Sequence, residues 1–157
     1  MATSSFTNAP AFKAAFKTAI ESVVDTSTVL VSYGHPGPGF DNWDDWVSVA
    51  ALRAAQESGP LGTSRPRNED IALTVWIGCY RAGGPEAEQE ASDAAYAILQ
   101  AIDHYTRQTD TTVGGTVWWC FLATHESNGV TPDELLEHGR TIEIEATFTA
   151  RARITGA

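Results

Sequence analysis

Four histidines, two cysteines and three aspartates in one loop are the residues best suited to chemistry, and their spacing decides what each can do. His125 followed by Glu126 would open a zinc-peptidase helix, but that site needs a second histidine four residues after the first. Position 129 is Gly, so the metal face is never completed. His35, His104 and His138 are scattered over a loop, a helix end and a connection, and no serine or cysteine stands in a G-x-S-x-G nucleophile elbow. The run Gly-His-Pro-Gly-Pro-Gly at 34–39 lacks the Lys-Ser/Thr of a phosphate loop. Its prolines remove backbone donors, and the acids that follow would repel phosphate. Asp41, Asp44 and Asp45 miss the ligand alternation of a calcium loop, and no glutamate follows at its twelfth position. The expectation is a protein without catalytic residues, cofactor or metal.

The same loop reads better as a contact surface. Phe40, Trp43 and Trp46 alternate with Asp41, Asp44 and Asp45, an aromatic anchor with a charged rim, which is how protein interfaces are composed. A second irregular stretch, 57–68, carries Gly59, Pro60, Gly62 and Pro66 together with Arg65 and Arg67. Loops held by a rigid sheet carry recognition, so both stretches are expected to reach neighbouring molecules.

The 157 residues fit one domain with its own core. With 43% hydrophobic and 19% charged residues the composition is that of an ordinary globular chain. Ten Lys plus Arg against twenty Asp plus Glu leave a net charge of -10, which disfavours attachment to nucleic acid or to an anionic membrane. Cys79 and Cys120 lie inside apolar runs without zinc-finger spacing and are expected to be buried thiols. The polar first ten residues lack a signal pattern, and nowhere do eighteen apolar residues run together; synthesis in a cytoplasm, without secretion, is expected.

These residues must be held by regular elements. Thr7 or Asn8 and Pro10 start a helix whose stripe is Phe12, Ala15, Phe16, Ala19, Ile20 and Val23. Residues 28–33 form a short buried strand and 46–53 a second, although its alanines would also suit a short helix, with 34–45 between them irregular. Residues 71–77 are apolar on both alternating faces, which predicts a central strand covered on each side. Gly83, Gly84 and Pro85 open a second helix with acids in its first turns and a stripe of Ala87, Ala91, Ala94, Ile98, Ile102 and Tyr105. Residues 113–123 enter a fourth strand through a turn, and that strand carries Trp118 and Trp119 on opposite faces, one in the core and one needing cover. Residues 126–139 read as a polar connection.

The last strand, 141–154, alternates strictly. Its polar face has Glu143 and Glu145 first and Arg151 and Arg153 later, a segregation suited to head-to-tail contact between copies, which closes into rings. The fold class expected is α+β: a single antiparallel or mixed sheet of four to five strands with two helices packed on one face.

Taken whole, the order of pieces resembles the tail terminator family of long-tailed bacteriophages. The likeness covers the opening amphipathic helix, Thr-Val-Leu-Val-Ser-Tyr-Gly at 28–34 before a long loop, and Asp-Ile-Ala-Leu-Thr-Val-Trp-Ile at 70–77 before an Ala-rich helix. Val-Gly-Gly-Thr-Val at 113–117 and the final strand complete it. The resemblance implies a homo-oligomer, a hexameric ring on the tail tube protein. Its loops would meet the tube on one side and the head-tail connector protein on the other. Genome DNA would pass through the channel without specific binding, and the protein would reside in the virion at the head-proximal end of the tail. A head-tail connector or other minor tail protein is the sister reading; a small-molecule-binding or enzymatic α+β domain is the reading from another class. It lacks a convergent acid, base and nucleophile.

Overall fold

The structure is a computed structural model that describes residues 6–58 and 66–154. Helix α1 (Ala9–Val23) is followed by strands β1 (Val29–Tyr33), β2 (Asp45–Ser58) and β3 (Arg67–Ala82), helix α2 (Glu86–His104), and strands β4 (Trp119–Gly129) and β5 (Gly139–Ile154). The strands form one mixed sheet in the order β1-β2-β3-β5-β4, parallel only between β1 and β2. This is the α+β class that the sequence predicts.

Each helix buries the stripe its periodicity requires. Pro10 stands in the first turn of α1, where its missing N–H costs nothing, and Phe12, Phe16, Ala19 and Ile20 are buried. Phe16 meets Phe148 of β5 edge to face at 4.8 Å. In α2 the buried residues are Ala87, Ala91, Ala95, Ile98, Leu99 and Ile102, so the stripe runs through Ala95 and Leu99, while Ala94 and Tyr105 are only partly buried. Both helices deliver their buried residues to one core with Val47, Val49, Ile71, Leu73, Val75 and Ile77 and the alternate positions of β5 from Ile142 to Ala152. Cys79 and Cys120 belong to that core.

Several boundaries differ from the sequence reading. β2 begins at Asp45 and runs to Ser58, because a bulge between Val49 and Leu52 resets its alternation and lets the alanine-rich half continue as strand. The turn expected ahead of β4 is present, and the strand starts at Trp119. Gly114 and Gly115 take positive φ and the Asp110 carboxylate accepts from the Thr112 and Gly114 amides and the Thr112 hydroxyl, so 111–116 is a held turn. β4 then extends through Glu126 to Gly129 along the sheet edge, where polar residues are tolerated because little is buried. Trp118 and Trp119 both lie outside the core: Trp118 precedes the strand and is exposed, and Trp119 is half-buried.

The start of α1 is tied to the sheet by a buried carboxylate. Glu69 of β3 has no exposed surface. It accepts from the Asn8 amide at 2.9 Å, the Thr7 hydroxyl at 2.5 Å and the Gln56 side-chain amide at 3.1 Å. A negative charge at a helix N-terminus is favoured by the orphan amides and dipole there.

Candidate interaction surface

Every second residue of the central strands points away from the core, and together they make a second sheet face. Strand register arranges it in rows. Trp46 stands beside Gly78, which stands beside Glu143; in the next row Ser48, Trp76, Glu145 and Glu126 follow one another across four strands. Further down, Arg53, Ala72, Thr149 and Phe121 make one row, and Ala55, Asp70, Arg151 and Trp119 the next, with Arg153 in the row after. Ala72, Thr74 and Trp76 remain half-exposed, so the second side of β3 has less cover than its apolar sequence predicts.

Four large aromatics, Trp46, Trp76, Trp119 and Phe121, stand on the strands of this face. Trp46 lies flat over Gly78 and meets Phe40 edge-on at 5.5 Å, and Phe40 meets His35 at 6.0 Å. Trp119 and Phe121 stack at 5.3 Å. Two hollows open between these groups. One, of about 350 Å³, is lined by His35, Phe40, Trp46, Ser48, Trp76 and Glu143. The other, of about 330 Å³, takes in Arg53, Asp70, Trp119 and Thr149. No residue of α1 or α2 lines either one.

The charges on the face are segregated along the strands. Glu126 and Glu145 pair directly across β4 and β5, a like-charge juxtaposition, and Glu143 is one alternate position away. Partial burial raises the pKa of Glu143 above the usual carboxylate range. At the other end Arg151 holds Glu57 at 3.3 Å and lies 3.6 Å from Asp70, an ion contact too long for a hydrogen bond. Arg53 and Arg153 are exposed and have no ion pair among the described residues.

The loop 34–45 that carries the predicted aromatic anchor is fixed at both ends. Its Gly34 carbonyl accepts from the hydroxyls of Ser32 and Ser48, both at 2.7 Å, and its Gly34 amide donates to Val49. Gly37 and Gly39 adopt positive φ around a single 3-10 turn at Phe40–Asn42. The anchor residues separate in space. Phe40 and Trp46 border the first hollow, whereas Trp43 and Asp44 border another with Ser27, Thr28 and Asn42. Asp41 is exposed. Asp45 opens β2 and grips Arg81 through two hydrogen bonds, of 2.6 and 3.1 Å. That grip raises the pKa of Arg81.

Of the second predicted loop, Arg65 lies outside the described residues and Arg67 begins β3 opposite Ile154. Glu143, Glu145, Arg151 and Arg153 fall on one face, as strict alternation requires. Trp76, Trp119, Phe121, Glu126 and Arg53 join them, and the alternation of β3 and β5 carried the signal for Trp76 once their register was known. Elsewhere, His125 approaches the Tyr96 hydroxyl of α2 at 3.2 Å, and no group of three metal-ligating side chains occurs among the described residues. Among those residues no helix is long and apolar enough to cross a membrane. Compared with protein-family models and with curated proteins, the sequence matches none at a significant level.

Proposed function

We propose that this protein is a virion structural subunit, a tail terminator that assembles as a hexameric ring on the end of a bacteriophage tail tube. The observation that carries the reading is the half-exposed second face of the sheet. A monomer gains little from holding four large aromatics there with acids at one end and arginines at the other. A head-to-tail neighbour would bring unlike ends together, and heterologous contacts of that kind close into rings when the rotation allows. The sequence-level resemblance supplies the ring size and the tail setting. The net charge of -10 supports the same role, since a wall of like charge lets DNA slide past. Asp41, Trp43 and Asp44 stand at the loop end that would meet the tube or the head-tail connector.

Negative-stain electron microscopy of the purified protein, alone and mixed with tail tubes, tests this. Six-fold rings or capped tube ends are the expected result. Monomers that leave tube ends bare at every concentration and salt level would overturn it.

A further inference from the structure

The hollow between β2, β3 and β5 has the composition of a receptor for an organic cation. Two indoles and a phenyl ring wall it, from Trp46, Trp76 and Phe40, and Glu143 borders it. Gly78 makes this arrangement accessible: without a side chain there, the Trp46 ring lies over β3 and reaches towards the strand that carries Glu143. Aromatic faces attract cations through their quadrupole, and a partly desolvated carboxylate strengthens that attraction. Glu143 has no ion pair or hydrogen-bonding partner among the described residues. Its neighbour in the sheet, Glu145, and Glu126 beyond add negative potential.

Among the described residues, the two arginines of this face that lack an ion pair are out of its reach. Arg53 is in the row of Thr149, six residues along β5 from Glu143, and Arg153 is ten residues along. At about 3.4 Å per residue these separations are roughly 20 and 34 Å, several times the span of an arginine side chain. Among the described residues, the same face thus presents at one end an aromatic hollow whose carboxylate has no ion pair, and at the other two arginines that have none.

We propose that the hollow of Trp46, Trp76 and Glu143 is an arginine receptor, and that its occupant is Arg53 or Arg153 of a second copy of this chain. Arginine suits it better than lysine, because the planar guanidinium stacks on an indole while its edge donates two hydrogen bonds to a carboxylate. The source of the arginine rests on the ring reading above; the preference of the hollow for arginine does not.

Two measurements on the full chain separate these parts. N-acetylarginine amide is titrated against its neutral isostere N-acetylcitrulline amide, following the indole N–H signals of Trp46 and Trp76 by NMR. Saturable shifts with the arginine compound alone, weakened about tenfold in Glu143→Gln, are expected. Equal response to both compounds, or none, would overturn the receptor. Self-association is then followed by sedimentation velocity for the wild type, Glu143→Gln and the double variant Arg53→Gln, Arg153→Gln. Comparable weakening by both changes supports the second copy as occupant, and association unaffected by the arginine changes rejects it. A wild type that stays monomeric rejects the second copy as occupant; the ring reading is then decided by the tail-tube experiment, and the amide titration still decides the receptor.

Discussion

The indole of Trp46 lies so close over Gly78 that a Cβ placed on the glycine would stand 2.2 Å from the ring. No rearrangement of a flexible side-chain end relieves such a contact, because the obstructing atoms are the rigid ring itself. Gly78→Ala is therefore expected to displace Trp46 and destabilise the protein by about 1–3 kcal/mol, the usual cost of overpacking. Denaturant unfolding reads the loss, and tryptophan emission should change in the native state. An alanine variant with wild-type emission and midpoint would show that the ring does not need the glycine.

Glu69 leads to a second expectation. Its carboxylate is the shared acceptor for Thr7, Asn8 and Gln56 in a buried setting. Glu69→Ala strands those donors, at about 3 kcal/mol in all, whereas Glu69→Gln keeps one acceptor oxygen and should lose less. Urea midpoints for the two variants, with amide exchange at Asn8, check the order. Equal stability of both variants and wild type would contradict the tie.

The cysteines predict a dependence on alkaline pH. Burial pushes the Cys120 thiol up to about 12, and burial together with nearby Asp45 pushes Cys79 up as well. An unfolded thiol ionises near pH 8.5 while the folded one stays protonated. The stability held below the unfolded pKa is thus lost as pH rises towards the folded value. Thiol labelling of the native protein at pH 8 should be slow and should accelerate in denaturant; fast labelling of both cysteines without denaturant would refute their burial. Cys120→Ala should flatten the stability profile above pH 9.

Glu143 carries a fourth expectation, with the same sign at lower pH. Desolvation raises its pKa in the folded state, so the fold favours the protonated acid and loses stability as pH climbs through that raised value. Glu143→Gln should make the isolated chain slightly more stable at pH 7, by on the order of a few tenths of a kcal/mol after solvent screening. The gain should vanish near pH 4. Thermal unfolding across that range measures it, and a variant less stable at pH 7 would show that the ionised carboxylate is held by a favourable contact.

How far the sequence foretold this depends on the kind of signal each segment carries. α1 and β5 were legible because one periodicity, helical in the first and strictly alternating in the second, runs through their whole length and matches a single buried face. The turn ahead of β4 was legible at 113–117, where Gly114 and Gly115 take left-handed conformations, whereas the Asp110 carboxylate that holds it carries no pattern of its own. The polar tail of β4 carries no hydrophobic pattern, since an edge strand buries so little. The candidate surface was half legible. Glu143, Glu145, Arg151 and Arg153 were visible in one strand, but Trp76, Phe121 and Arg53 join them only through register across neighbouring strands, which no local pattern encodes.

The pairing of β3 with β5 is continuous from Arg67 opposite Ile154 to Ala82 opposite Gly139, without a bulge. A pull along the strand direction would therefore load that whole ladder in shear, with its hydrogen bonds sharing the force, instead of unzipping them one after another. β1 shares only five residues of register with β2 and would part first. The molecule thus has a stiff mechanical spine and a detachable margin, and single-molecule stretching along the strands should meet its highest resistance only after that margin has gone.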